Sequence, residues 1–466
     1  MPSWSSLLRA LLPAFALALG LGGCAAFRSY DAELHGTLGY AMSGNVDGAI
    51  KTLESNNLLP DRDLLYHLEL GMLQRLGNRY RESQKAWMAA NARIQVRDPL
   101  AEVASLVRGG SSYLINDKLR SYEGYDYEKV MLLTYIALNH LALGELDQAR
   151  VAIKQTHELE ALIAEQRARQ IAEVEEEAKK RGARTSFKEL NGYPVQTIEN
   201  PEVNALRNSY QSALSHYLAG FIYESLGEPS LAAPGYRLAN ELQPGVPLLE
   251  DALAGLEARL AAPADGMVDV LFLVASGTAP ALRSHQFSLF VPVSGRLVLV
   301  PVSFPVMAPS AWAPRPAALA VDGAAPMPLA PITSVDLMAR RRLKDDMPAI
   351  MLRATVRATT SAAMQYQAQK ASDRNGSAAV VAALVTIGSV LLASADDRTW
   401  RTLPSEISIA RARIPAGVHS VTVQTPQGPR SARVELTGRY AVIDFWLLGQ
   451  QLYGYHPATQ KGEASR

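Results

Sequence analysis

The pattern of apolar positions divides the chain into two parts with different periods. Through residue 262, apolar residues recur at helical spacing, in runs that end on Gly44, Gly77, Gly144 and Gly227. After each glycine a second helical run begins, so glycine is expected as the left-handed cap that lets the chain reverse. A small residue follows in each second run (Ala49, Ser83, Ala149, Ala232), and four positions later a large one (Leu53, Trp87, Ile153, Tyr236). The small residue lets two helices approach and the large one fills the groove between them. From Asp147 to Arg181 there is no Gly or Pro, and Glu175, Glu176 and Glu177 precede Lys179, Lys180 and Arg181 by four. That orientation supports an exposed helix. It predicts one long helix near 147–181 of about 50 Å, leaving the bundle as a spur that is either a solvated face or a partner-binding arm.

After Pro263 the period shortens to two. Strands are expected at Met267–Val274, His285–Val293, Leu297–Phe304, Glu406–Ile414, Val418–Gln424, Ser431–Leu436 and Tyr440–Phe445, with turn residues between them. A helical block is expected near 346–395, and the proline-rich stretch 305–331 reads as a surface crossing. The fold class is α+β multidomain: a helical repeat domain over 24–262, then a β-sandwich-like domain over 263–466 with a helical insertion. The repeats resemble the tetratricopeptide repeat, whose period is 34. Ala49 and Ser83 are 34 apart, Ser83 and Ala149 are 66 apart, and the 83 residues from Ala149 to Ala232 contain an insertion.

The first residues change the picture of where the protein resides. Arg9 precedes an uncharged apolar run, Ala10 to Gly23, which ends at Leu21-Gly22-Gly23-Cys24. This is a secretory signal over 1–23 rather than a transmembrane helix. Leu21, Gly22 and Gly23 form a lipobox before Cys24, the sole cysteine of the chain. Cys24 is expected to carry a diacylglycerol and an N-acyl chain, and several chains make a stable anchor. With Ala25 and Ala26 next, the order resembles the default outer-membrane sorting signal, facing the periplasm. No internal disulfide is available. The segment Asn375 to Ala395 is uncharged and apolar, and reads either as a buried helix or as one dipping into a membrane.

At 48% hydrophobic and 20% charged, the composition is that of globular material. Charge is unevenly placed: 266–466 holds 20 Lys and Arg against 12 Asp and Glu, whereas 24–265 holds 25 against 33. Either the halves dock on each other or the basic half faces an anionic surface. Outside the cytoplasm, nucleic acid is not an expected partner.

Two motifs stand out. Tyr113, Asp117, Tyr122, Glu123, Tyr125, Asp126 and Tyr127, with Arg120 and Glu128, form an aromatic and acidic cluster. It suits a basic peptide or a sugar, or else it is an ordered loop capping the repeats. Asp396, Asp397, Arg398 and Arg401 surround Trp400 in an arrangement suited to a structural joint. Gly109–Asp117, Tyr122–Glu128 and Leu138–Leu141, together with Ala395–Pro404, resemble a family of largely uncharacterised proteobacterial lipoproteins with repeats of this kind. The resemblance implies an outer-membrane lipoprotein of unknown molecular function, encoded near penicillin-binding-protein activator-like lipoproteins and so associated with cell-wall synthesis.

No catalytic motif is present: no G-x-S-x-G, H-E-x-x-H or phosphate-binding glycine loop. The eight histidines show no metal spacing, and no cofactor is expected beyond the lipid on Cys24. The expected role is a membrane-anchored scaffold binding periplasmic or outer-membrane proteins in envelope biogenesis, through the concave face of the repeats. Peptidoglycan synthesis or surface-polymer export are the pathways in view. The alternative is a protein that binds or cleaves glycans, such as peptidoglycan.

Overall fold

The computed structural model describes residues 29–57, 62–95, 121–183, 185–190, 192–263, 265–308, 315–372 and 395–454. Leu21, Gly22, Gly23, Cys24, Tyr113 and Asp117 lie outside the described residues, as does nearly all of 375–395. The molecule is α+β, helices first and mixed sheets after. Helices form antiparallel pairs: α1 (Tyr30–Met42) with α2 (Val46–Asn56), α3 (Leu64–Leu76) with α4 (Tyr80–Gln95), α5 (Asp126–Ala142) with α6 (Leu146–Arg181), and α8 (Ala213–Ser225) with α9 (Pro229–Leu242). The short α7 (Pro201–Ala205) precedes α8, and α10 (Pro247–Ala254) and α11 (Leu256–Ala261) follow α9. Side chains of Ser29, Asn45 and Asp63 accept backbone N–H groups at the starts of α1, α2 and α3.

Three of the four turns use the expected glycine, with φ of 89° at Gly44 and 74° at Gly144 and Gly227. The second does not. Gly77 has φ −81°, and the left-handed residue is Asn78 at 58°, whose side-chain oxygen accepts from the Tyr80 hydroxyl. Asparagine tolerates this conformation because it bonds locally. The eight small and large positions read from the sequence are all buried. Sixteen residues before each large residue the leading helix places Thr37, Gly71, Ala137 and Gly220. Glycine stands where the large residue is aromatic: a Cβ on Gly71 would overlap the Trp87 ring, and one on Gly220 would come within 2.6 Å of Tyr236.

Strand β1 (Met267–Ser276) is the centre of a five-stranded sheet with β6 (Ala330–Ser334), β7 (Glu406–Pro415), β10 (Tyr440–Leu448) and β11 (Gln451–Gly454), in the order β11-β10-β1-β7-β6. Its β1–β10 pairing is parallel, the others antiparallel. A four-stranded antiparallel sheet runs β5 (Met327–Pro328), β4 (Ala318–Val321), β8 (Gly417–Thr425), β9 (Gly428–Leu436). Strands β2 (Leu282–Val293) and β3 (Arg296–Met307) make a separate two-stranded ribbon, and α12 (Val335–Ser372) packs along it. Two expectations are corrected. The proline-rich stretch is not only a crossing, because β4 and β5 form within it and β6 begins at its end, at proline-free or edge positions. The helical block begins at Val335, eleven residues early, because Ser334 caps it by accepting from Leu337 N–H.

Strand β1 alternates between two cores. Val268, Val270, Phe272 and Val274 face the four-stranded sheet, whereas Leu271, Leu273 and Ala275 join the core of the helices. The five-stranded sheet is therefore a middle layer, and β1 reads as an unbroken apolar run from Val270 to Ala275 because both faces are covered. The helices complete this picture. Helix α5 buries thirteen of its seventeen residues and α8 twelve of its thirteen, while α9 buries four of fourteen. The leading helix of each later pair is thus covered on both sides, by its pair-mate and by the C-terminal half. Helix α6 spans the long helix expected from sequence, but it is not a free spur over its whole length. Arg167 pairs with Asp126 of α5 and Asp346 of α12. Beyond it, Lys180–Glu176 and Arg181–Glu177 are exposed pairs four residues apart.

Candidate functional site

The two sequence motifs meet in one place. The segment 395–405 enters the helical layer, and two fully buried glutamates hold its backbone. Glu69 of α3 accepts from Arg401 N–H (2.8 Å), Thr402 N–H (2.9 Å) and the Tyr30 hydroxyl (3.1 Å). Glu128 of α5 accepts from Trp400 N–H (2.7 Å), the Thr399 hydroxyl (3.0 Å), Tyr125 N–H (2.9 Å) and the Tyr122 hydroxyl. Between them Trp400, fully buried, sets its ring edge-on to Trp87 at 6.2 Å. Burial raises both carboxyls, Glu69 to about 7, although the donated hydrogen bonds oppose the shift.

The described tyrosines of the aromatic cluster point inward. Tyr122 and Tyr127 are 4% and 1% exposed, and burial pushes their hydroxyls well above the ordinary tyrosine value. The Tyr127 hydroxyl meets Thr399 Oγ1 at 3.0 Å and that of Tyr125 donates to Arg398 O. Arg342 lies 3.5 Å over the Tyr125 ring and Arg398 5.4 Å from that of Tyr122. Asp126 is taken by Arg167. Glu123 is part of the same loop, with interactions of its own. In the other motif, Asp396 pairs with Arg398, Asp397 accepts from Tyr30 N–H, and Arg401 pairs with Asp31. Each motif supplies the other's partners, so these groups are arranged as a joint between the halves.

Two further seams repeat the device, and sequence reasoning missed both. Glu224 of α8 binds Arg259 (2.9 Å), Arg411 of β7 (2.6 Å) and the Tyr236 hydroxyl (2.6 Å), and Arg411 also pairs with Asp269 of β1. Burial alone would raise the Glu224 carboxyl, but the two arginines hold it below the ordinary value. Arg75 of α3 pairs with Asp444 of β10 at 2.6 Å and donates to Asn139. Beside this pair is a cavity of about 40 Å³ lined in part by Tyr80, Tyr135 and Tyr453, room for a few waters and not for a sugar. The available signal was a charge inside an apolar run, as at Glu69 in Leu64–Leu76 and Glu224 in Ala213–Ser225.

His157 and His216 stack at 4.9 Å, with His216 2.9 Å from Glu160. Burial and the neighbouring ring lower the His157 pKa. Among the described residues no group of three His, Cys, Asp or Glu is placed to hold a metal, and no helix is long and apolar enough to cross a membrane.

No family model matches the chain, and no curated protein does. Among solved structures, a tetratricopeptide repeat protein from Parabacteroides merdae ATCC 43184 is 14% identical, covering 49% of this chain and 98% of that one with a TM-score of 0.13, a similarity too low to carry an argument about fold.

Proposed function

We propose that this protein is a lipid-anchored envelope scaffold, held in the outer membrane by Cys24 and facing the periplasm. Its helix pairs are tetratricopeptide-like repeats, and its C-terminal half is a β-sandwich with a helical insertion. The reading as repeats rests on the sixteen-residue spacing between small and large positions, which recurs in all four pairs. The observation that carries the scaffold reading is the use of the buried charges. Glu69, Glu128, Glu224 and Arg75 each tie a leading helix to the C-terminal half, and the cavity lined by Arg75 and Asp444 has room only for water.

Residues of α3, α5 and α8 share one buried cluster with β1, β7 and β10, which favours partner binding on the outer surfaces of the helices. Partners in envelope biogenesis, in peptidoglycan synthesis or surface-polymer export, then bind outward-facing surfaces, among them distal α6 with its exposed Glu176–Lys180 pair. With Tyr122 and Tyr127 turned inward, no described feature favours the glycan alternative.

The test is mild crosslinking and affinity purification from envelopes, comparing wild type, Cys24→Ala, and a variant with Glu176→Ala and Lys180→Ala. Defined envelope proteins recovered by wild type and lost from Cys24→Ala support the scaffold, and loss from the α6 variant locates the surface. Recovery of glycan fragments without protein would overturn it.

A further inference from the structure

The β2–β3 ribbon has two unlike faces. Cross-strand pairs Phe287–Val302 and Val291–Val298 look inward, where these side chains pack into the helical core. Ser284, Phe290 and Pro292, with their partners Pro305, Leu299 and Leu297, alternate onto the other face. There Phe290 is 69% exposed, Leu297 70% and Leu299 51%. Soluble surfaces seldom gather large apolar side chains in one patch without a use for them. Arg283 and Arg296, at the ribbon's base and turn, pair with Val306 and Val293 and so alternate onto the helix-facing side, which leaves the open face without a charged side chain from the ribbon.

The position of this face relative to the anchor identifies what covers it. Ala395 N–H donates to Ser284 Oγ at 3.0 Å, on the open face at the ribbon's base. Two residues on, Asp397 accepts the N–H of Tyr30, the first residue of α1. Cys24 lies only five residues before Ser29, a tether of at most about 18 Å. Along the strand, Ser284 to Phe290 is about 20 Å. A lipid on Cys24 therefore holds the membrane surface within reach of the apolar patch.

We infer that the open face of the ribbon, through Phe290, Leu297 and Leu299, lies on the lipid bilayer that holds the anchor. This placement rests on the anchor reading. Large apolar side chains set at the acyl boundary are how an interfacial element adds to the hold of a lipid anchor. Acylation fixes one point of the protein to the membrane; the ribbon supplies a second and so fixes the tilt.

Acylation occupies the sole native cysteine, so a second cysteine can be labelled alone. Full-length acylated protein carrying Leu297→Cys, or Val418→Cys on the far sheet (63% exposed), is labelled with a fluorophore and reconstituted in phosphatidylethanolamine and phosphatidylglycerol vesicles containing brominated lipid. The expected result is quenching several-fold stronger at 297 than at 418, lost at 297 when Phe290→Glu and Leu299→Glu are added. Equal quenching at the two positions overturns the proposal. So does a Leu297→Cys that resists labelling before reconstitution, which would mean that protein covers the face, or a dimer that the two glutamates dissociate. If Cys24 itself takes up label, the anchor reading has failed, and the ribbon is judged separately by the same quenching with vesicles added from outside.

Discussion

A glutamate sealed beneath the 395–405 segment binds its proton more tightly in the folded chain than in the unfolded one. The folded Glu69 carboxyl titrates at about 7, above the ordinary value near 4.3. Its contribution to stability is fully present below that ordinary value and is lost as pH rises through about 7. Glu128 shifts the same way, whereas Glu224 and Asp346, held below their ordinary values, lose their contributions only at lower pH. Stability should therefore increase as pH falls from about 8 to about 5, by on the order of 3 kcal/mol for Glu69. Glu69→Gln should flatten that slope in thermal melts; slopes that superimpose would mean the carboxyl does not titrate in this window. Glycines give a second residue-scale contrast. Gly71→Ala presses a methyl into the Trp87 ring and should destabilise by about 1–3 kcal/mol. Gly39→Ala, on an exposed helical face with open space around it, should stabilise by about 0.5–1 kcal/mol. Denaturant midpoints of the two variants should move in opposite directions.

At the scale of elements, what holds the helices to the sheet is a small number of buried charged seams. Removing one partner leaves the other unpaired in a dry environment, so Glu224→Ala should cost about 3–5 kcal/mol by stranding Arg411 and Arg259. A double variant that also replaces Arg411 with Met should recover part of the loss, and no recovery in a double-mutant cycle would remove the seam from the account. The elements were legible in the sequence where local chemistry decides them. Three turns use the glycine that marks them, and the small and large positions are buried as their spacing implied. What the sequence could not reveal was pairing at long range. Glu69 and Glu224 stand out as charges in apolar helices, but their partners lie 332 and 187 residues downstream. The strands within the proline-rich stretch form because β4 finds β8, a choice made by tertiary packing. The aromatic cluster was visible as a motif, while its inward orientation depended on Trp400 and Thr399, which lie over 270 residues away.

For the whole molecule, the shared core means that the halves are not independent. Residues of α3, α5 and α8 and of β1, β7 and β10 belong to one cluster of buried side chains. Calorimetry of the mature protein should therefore show a single unfolding transition, and two separated transitions would mean that the halves are stable alone. The same closure limits the order in which the structure can be completed. The Tyr453 hydroxyl reaches the carbonyl of Ala41, 412 residues earlier, and the central strand β1 has its parallel partner in β10, at the far end of the chain. A chain delivered N-terminus first thus exposes its leading helices long before the strands that cover them arrive. Until about residue 450 has emerged, it remains a substrate for holding chaperones and proteases, and its maturation time is set by delivery of its last strands.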